Sequence, residues 1–196
     1  MPTRIDLQLA FILEIDKLKT ILRQTPITGP SRRQENDAEH SWHIAVMASL
    51  FAEYAPATVD ITRVTRMLLI HDIVEIDAGD TFAYDVAGYS DKTERELRAA
   101  ERIFGLLPAD QAADLRALWE EFEAASSPEA CFANALDRLQ PLLLNSRTGG
   151  GSWSNHQVTR AQVLTRMEPV RTGAPQLWPV VLEVVEDATS RGWLLV

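Results

Sequence analysis

The sequence is poor in cysteine, in basic residues and in long apolar runs. Cys131 is its only cysteine, so an internal disulfide is excluded and a reducing, cytoplasmic location is expected. The chain has 19 lysine and arginine residues against 28 aspartate and glutamate residues, a formal net charge of −9. This charge argues against a nucleic-acid polymer or an anionic membrane as a partner. No apolar run approaches the roughly 20 residues of a membrane span, and no signal-peptide pattern opens the sequence.

What the sequence does have is helical periodicity along most of its 196 residues. An early apolar stripe, for example, runs through Leu7, Phe11 and Ile15 at helical spacing. We find no convincing strand pair. The sequence therefore predicts an all-α fold, a single-domain helical bundle of about 7–9 helices over residues 1–196. Its motif-bearing core is expected at about 18–145, with C-terminal helices at 155–192 packed on it.

Two segments are predicted to be connections. The polar segment "QTPITGPSRRQEND" carries the helix breakers Pro26, Gly29 and Pro30. The segment "RTGGGSWSNH" indicates a flexible loop, since three glycines permit unusual backbone angles. Trp153 within it either anchors the loop to the core or stacks on a ligand as a lid.

A third predicted helix carries an unusual group of polar residues. Its cap is Asp60, its apolar stripe leads to His71, and Gly79 should end it. Along it, His71, Asp72 and Glu75 project from neighbouring positions that continue the apolar face. Buried carboxylates need a compensating positive charge, and a divalent cation bound by imidazole and carboxylate would supply it. The alternative is a surface histidine with solvated acids.

Two further segments favour the cation over that alternative. "RRQENDAEHSWH" places His40 in the first turns of a second helix, and "FANALDRLQPLL" places Asp137 inside an otherwise apolar one. Taken singly, His40 is an ordinary helix-start residue and Asp137 is a partner for Arg138. Together with the His-Asp pair they supply the ligand set of one coordination site from three helices.

Three segments in this order resemble the HD-domain phosphohydrolases: "AEHSWHIAVMASLFAEYA", "LLIHDIVEIDAGD" and "ALDRLQ". Within that superfamily the sequence is similar to the 5′-deoxynucleotidase group. That group carries arginine–x–E-(N/S)-x-x-(E/D)-H, then HD-x-x-E-x-x-x-x-D, then a late aspartate. The similarity spans residues 18 to 145. It implies the helical HD fold.

The resemblance also implies roles for single residues. Glu75 and Asp80 would work beside the phosphate and the attacking water. Arg33 matches the arginine before the E-N pair, and Arg23 lies where the group has a substrate-binding arginine. Group members often have a tryptophan soon after that arginine, whereas this sequence has "QTPIT". The implied ligands of one divalent metal are His40, His71, Asp72 and Asp137.

The resulting hypothesis is a metal-dependent 5′-deoxynucleotidase that releases phosphate from (deoxy)ribonucleoside 5′-monophosphates. Two imidazoles in the ligand set favour Mn²⁺, Co²⁺, Fe²⁺ or Zn²⁺ over Mg²⁺. The expected partners are a small nucleotide substrate and a second copy of the chain, since related proteins are often dimers. Alternatives are hydrolysis of a nucleoside triphosphate, a cyclic nucleotide or guanosine tetraphosphate, a metal-bound ligand sensor without turnover, and a purely structural helical protein.

Overall fold

Helices dominate the structure, so the predicted all-α class is confirmed. The structure is a computed structural model that describes residues 1–56, 58–85 and 87–196. Within these ranges it has eleven α-helices and one two-stranded sheet, more helices than the 7–9 predicted. Three 3₁₀ segments span Asp16–Thr20, Ala52–Tyr54 and Pro175–Leu177. The α-helices and strands are α1 (Arg4–Ile15), β1 (Leu22–Pro26), β2 (Gln34–Asn36), α2 (Asp37–Leu50), α3 (Ile61–Ile70), α4 (Glu75–Ala78), α5 (Lys92–Phe104), α6 (Ala109–Ala124), α7 (Pro128–Arg147), α8 (Gly151–His156), α9 (Arg160–Arg166), α10 (Glu168–Gly173) and α11 (Trp178–Ser190).

The absence of a strand pair was a wrong prediction. β1 and β2 form an antiparallel ribbon in which Leu22 pairs with Asn36 and Pro26 pairs with Gln34. The sequence favours a loop here because the segment is polar and contains Pro26, which lacks the N–H that a strand ladder uses. The ribbon leads directly into α2. Asn36 caps that helix, its side chain accepting from the N–H of Glu39 while the Glu39 carboxylate accepts from the N–H of Asn36.

Two apolar clusters make up the interior of the described residues. The larger one joins α2, α3, α6 and α7 to the C-terminal helices, and α7 lies in its middle. The smaller one packs α1, α4 and α5 around buried Ile103 and Phe104. The chain passes from the larger cluster at Leu68 to the smaller one at Ile73. Residues between these two anchors are held from both sides, and they include the His-Asp pair.

The glycine-rich segment is ordered as a helix rather than as the flexible loop that was predicted. Gly150 and Gly151 have φ angles of 88° and 41°, a region that favours glycine. A Cβ at Gly151 would lie 2.3 Å from Asn145 Oδ1, so the tight passage from α7 to α8 needs glycine there. Trp153 on α8 is 2% exposed and belongs to the larger apolar cluster. Its anchoring role is therefore confirmed.

None of the helices in the described residues is both long enough and apolar enough to cross a membrane.

Candidate metal and phosphate site

The His71–Asp72 pair lies in a tight turn between α3 and α4. The sequence predicted one uninterrupted helix, but α3 ends at Ile70 and α4 begins at Glu75. His71 Nδ1 lies 3.0 Å from the carbonyl oxygen of Leu68, an oxygen that would accept from the N–H of Asp72 in a continued helix. Further along the turn, the Glu75 N–H donates to the carbonyl oxygen of Asp72, three residues back, at 2.9 Å. The turn keeps all three polar side chains on the interior side, as predicted.

The hydrogen bond from His71 Nδ1 fixes the ring so that Nε2 faces the other polar residues. Nε2 lies 3.0 Å from Asp72 Oδ1 and 3.8 Å from Asp137 Oδ1. Burial alone would lower the pKa of His71, but the two carboxylates raise it to about 10. The position of Nε2 therefore requires a positive charge, which either a proton or a metal ion can provide.

His40 is held in the same way from the opposite side. It lies in the first turn of α2 and is fully buried. Its Nδ1 is 3.1 Å from Gln140 Oε1, and its Nε2 is 3.0 Å from Asp137 Oδ1. Gln140 Nε2 donates to Glu35 Oε1 at 2.6 Å, which fixes the amide so that its oxygen accepts from His40 Nδ1. His40 Nε2 therefore faces Asp137 Oδ1, to which it donates when protonated, and its lone pair is the one available to a metal ion when the ring is neutral.

Asp137 completes the group from the middle of α7. Its Oδ1 contacts both imidazoles, and its Oδ2 accepts from Arg138 Nη1. Burial alone would raise the pKa of Asp137, but Arg138, His40 and His71 hold it well below its ordinary value. Asp137 is therefore a carboxylate, the form in which it binds metals. The structure brings together all four predicted metal ligands: His40, His71, Asp72 and Asp137.

The spacing of His40, His71 and Asp72 fits a shared divalent cation, and Asp137 Oδ1 adjoins both imidazoles. One ligand atom from each of His40, His71 and Asp72 lies within 4.8 Å of the others. Ligands on opposite sides of an ion with bonds of about 2.1 Å would be about 4.2 Å apart. Although Asp72 Oδ1 lies 3.0 Å from it, His71 Nε2 makes no hydrogen bond of good geometry among the described residues, and an unsatisfied buried nitrogen is costly unless another group binds it. Imidazole nitrogen with carboxylate oxygen suits a first-row divalent ion.

The two predicted catalytic acids lie beside this group. Glu75 is 6% exposed, and its Oε2 is among the buried atoms of the described chain that lack a hydrogen-bond partner. Burial, followed by the charges of Asp72 and Asp80, raises the pKa of Glu75 well above its ordinary value. Burial also raises the pKa of Asp80, although Arg23 opposes that shift. Each of these two carboxyl groups therefore favours its protonated form more than an exposed acid does.

The two predicted substrate arginines have different positions. Arg23 extends from β1 into the polar group, where Nη1 donates to Asp72 Oδ2 at 2.8 Å and to Asp37 Oδ1 at 3.1 Å. Arg33 instead pairs with Glu39, and its side chain is 50% exposed. Within the described residues Arg33 contacts none of the four predicted metal ligands, so this geometry does not support the substrate-binding role predicted for it.

A cleft in two parts opens onto this group. We call one part the acidic chamber, since His71, Asp72, Glu75, Glu96 and Glu123 line it with Lys92. The other is the aromatic chamber, about 580 Å³ with its open mouth included, a size that suits a small-molecule ligand. Its apolar wall contains Phe82, Tyr84 and Trp153. The residues that line both chambers are Arg23, Asp80, Thr81, Asp137, Arg138 and Arg166.

Sequence reasoning missed five residues that belong to this environment. Gln140 had a usable signal, since it follows Asp137 by three positions on the same helix face. Arg138 was treated only as an ion-pair partner of Asp137. The remaining three have no signal of comparable strength in the sequence. The five are Glu35, Asp37, Arg138, Gln140 and Arg166.

We expect metal removal to lower thermal stability, because the cation would compensate buried carboxylates. At a concentration of 100 times Kd, a bound ion adds about 2.7 kcal/mol to the free energy of unfolding. For a chain of this length that corresponds to a rise in Tm of roughly 5–10 °C. Differential scanning calorimetry of chelator-treated protein, with and without Mn²⁺, measures it. Asp137→Asn should abolish the shift, and Asp77→Asn at the partly exposed Asp77–Arg102 pair should retain it. Equal Tm values with and without metal would oppose a structural cation.

Comparison with known proteins agrees with this geometry. The family model for the HD domain matches residues 15–178. The 5′-deoxynucleotidase HDDC2 of Homo sapiens is 33% identical over 135 residues, which cover 69% of this chain and 65% of that protein. The chain thus spans less than two thirds of the length of this relative. The 5′-deoxynucleotidase hdd1 of Schizosaccharomyces pombe is 26% identical over 127 residues, 61% of this chain and 63% of that protein.

A solved structure is more similar still. A crystal structure from Magnetospirillum magnetotacticum MS-1, described as a predicted metal-dependent phosphohydrolase, superposes with a TM-score of 0.94. Its sequence is 58% identical, and the match covers 98% of this chain and 96% of that one. The family match extends over most of the chain and contains all four predicted ligand residues. The chain belongs to the HD domain family.

Proposed function

We propose that this protein is a metal-dependent phosphohydrolase that releases phosphate from nucleoside 5′-monophosphates, with deoxyribonucleotides as the preferred class. The observation that carries the proposal is the convergence of His40, His71, Asp72 and Asp137 beside a cleft that the last three line together with arginines. The 5′-deoxynucleotidase relatives support the same reaction. In this proposal residues 1–196 act as one HD domain.

The proposed metal is Mn²⁺, Co²⁺, Fe²⁺ or Zn²⁺ rather than Mg²⁺, since imidazole ligands suit the former group better. The four ligand residues would hold it through His40 Nε2, His71 Nε2 and the carboxylate oxygens of Asp72 and Asp137. A bound divalent ion lowers the pKa of a water ligand and polarises a phosphoryl oxygen.

Glu75 and Asp80 would move the two protons that the reaction requires. Glu75 Oε2 is buried and unpaired among the described residues, so it can orient the attacking water. Burial and the neighbouring carboxylates raise the pKa of Glu75, and the positive charge of a bound cation would oppose that shift, so that Glu75 could accept the proton of the water. As the bond between phosphorus and the ester oxygen breaks, Asp80 would donate a proton to the leaving oxygen. The raised pKa of Asp80 favours the protonated form that this step needs. Arg23 balances negative charge beside Asp72.

The aromatic chamber is the proposed place for the nucleoside. It continues directly from the arginine-bordered floor, and Phe82 and Tyr84 pack edge to face at 5.4 Å between ring centres. Aromatic rings offer a base a stacking surface, at about 1–3 kcal/mol per base in nucleic-acid complexes. The side chains of Gln24 and Asn145 add polar groups to the same wall. The tryptophan that group members often carry after the arginine is absent here, and Trp153, although it lines this chamber, is buried in the larger apolar cluster.

A substrate panel tests this function. Purified protein loaded with Mn²⁺, Co²⁺ or Zn²⁺ would be given deoxyribonucleoside and ribonucleoside monophosphates, nucleoside triphosphates, a cyclic nucleotide and guanosine tetraphosphate. We expect inorganic phosphate to be released fastest from the deoxyribonucleoside monophosphates. Faster hydrolysis of another class would reassign the substrate. Ligand binding without release of any product would indicate a sensor instead.

Arg23 and Arg33 provide a matched pair of substitutions. Arg23→Ala removes a guanidinium that contacts Asp72 inside the cleft, and we expect kcat/KM for a nucleoside monophosphate to fall about 100-fold. Arg33→Ala removes an exposed ion pair with Glu39 and a hydrogen bond to the Gln34 carbonyl, both outside the cleft, so kcat/KM should stay within about twofold. Steady-state kinetics of the two variants measure the difference. A larger loss in Arg33→Ala would restore the assignment made from the sequence.

We also propose a cytoplasmic homodimer. The lone cysteine supports a reducing compartment. Trp178 and Trp193, near the end of the chain, are partly buried against the larger apolar cluster. An exposed apolar stripe on α2, formed by Trp42, Val46 and Leu50, is a better match for such a contact.

A further inference from the structure

Arg166 is a cation in the cleft that the proposed chemistry has not used. It is the last residue of α9 and lines both chambers. Its one hydrogen bond within the described chain goes from Nη1 to Tyr89 Oη at 3.4 Å, and no described carboxylate lies within ion-pair distance. A guanidinium has five N–H donors. Most of the donors of Arg166 therefore have no protein partner here.

A second guanidinium shares the same border. Arg138 also lines both chambers, and Asp137 occupies only its Nη1. Burial lowers the pKa of Arg166, and the charge of Arg138 lowers it further, which places the two cations within mutual influence. Two like charges at one cavity border are unfavourable by themselves. An anion bound between them would relieve the repulsion and satisfy the free N–H groups.

We propose that Arg166, together with Arg138, binds the phosphoryl oxygens of the substrate at the border of the two chambers. A tetrahedral phosphate dianion is the matching ligand, because a planar guanidinium donates two parallel hydrogen bonds to such a group. This position for the phosphate agrees with the residues that line the two chambers. The metal-ligand residues lie towards the acidic chamber and the aromatic wall lies towards the other, so the phosphate of a nucleotide falls between them. The inference rests on the proposed function for the identity of the substrate.

The test uses manganese-loaded protein and inorganic phosphate as the probe. Isothermal titration calorimetry would compare wild type with Arg166→Met and Arg166→Lys. We expect Arg166→Met to weaken phosphate binding at least tenfold and to lower kcat/KM for a deoxyribonucleoside monophosphate about 100-fold. The affinity and kcat/KM of Arg166→Lys should lie between those of wild type and Arg166→Met, because lysine keeps the positive charge but cannot donate two parallel hydrogen bonds. Inhibition by a deoxyribonucleoside, which lacks the phosphate, and the metal content should be unchanged.

Arg171→Met is the matched control, since Arg171 lies on the next helix, is 60% exposed and pairs with Glu168. Its phosphate affinity should equal that of wild type. Unchanged affinity in Arg166→Met, an equal loss in Arg171→Met, or no phosphate binding by wild type would overturn the inference. If Arg166→Met fails to fold, wild-type affinity in Arg166→Lys would overturn it too. Arg166-dependent phosphate binding without nucleotide hydrolysis would refute only the proposed function. If wild type hydrolyses nucleotides and Arg166→Met does so equally well, only this inference would be refuted.

Discussion

Asp72→Asn should reduce phosphate release at least about 1000-fold while the protein stays folded. The change preserves the shape of the side chain and an oxygen that can accept from Arg23 Nη1, a bond of 2.8 Å in the parent. It removes the negative charge that the ion requires, and with it the charge stabilisation and the water activation that a bound metal provides. Steady-state rates, metal content by elemental analysis and Tm of the same preparation separate loss of metal from loss of fold.

Asp77→Asn is the matched control for that substitution. Asp77 lies five residues along the same segment, its side chain is 37% exposed, and it pairs with Arg102 on the outer side. A surface ion pair contributes about 0–1 kcal/mol, so neither rate nor metal content should change appreciably. A stronger version of the test combines His71→Ala with Asp72→Ala. A folded double variant with parental activity would exclude this site as the centre of the reaction.

Glu75→Gln should lower kcat by 10²- to 10⁴-fold, the usual range for loss of a general acid or base. The carboxyl group is buried beside Asp72, and no side chain that the structure describes hydrogen-bonds to its Oε2. Glutamine fills the same space but cannot accept a proton from water. Metal content should be that of the parent, because Glu75 is outside the proposed ligand set. Single-turnover kinetics with parallel metal analysis measure both quantities.

Asp80→Asn is the informative companion to Glu75→Gln. If Asp80 protonates the leaving oxygen, the fall in kcat of Asp80→Asn should depend on the leaving group. It should be smallest for a phosphate ester of an acidic phenol, because that oxygen leaves without being protonated. If that dependence appears in Glu75→Gln instead, the two roles are exchanged. Loss of metal in Glu75→Gln would make Glu75 a ligand and contradict its assignment as a base.

The ligand residues could be predicted because each is an ionisable group on an otherwise apolar face. Asp137 interrupts a run of Leu and Ala on α7, and His40 precedes the apolar stripe of α2. Such residues are costly to bury without a partner, so the sequence itself carries the signal. That their side chains meet depends on packing. The order of the three segments, through its resemblance to the HD phosphohydrolases, supplied the expectation that they converge.

Other features could not be predicted, for reasons that are specific to each. The break after Ile70 depends on the contact between the His71 ring and the Leu68 carbonyl, while the apolar periodicity continues through it. The ribbon that carries Arg23 has a three-residue strand and a proline, so local pattern favours a loop. Arg166 ends a short polar helix and resembles a surface residue in sequence. Only the packing of α9 against the cleft places it there.

The central claim is that two imidazoles and two carboxylates, from α2, the turn between α3 and α4, and α7, bind one divalent cation. A crystal structure of manganese-loaded protein, with diffraction data collected at wavelengths on either side of the manganese absorption edge, tests it most directly. We predict a single anomalous peak bonded to His40 Nε2, His71 Nε2 and oxygens of Asp72 and Asp137, with bond lengths of about 2.0–2.3 Å. A peak bound elsewhere, or these four side chains in direct contact with no ion at saturating manganese, would contradict the claim.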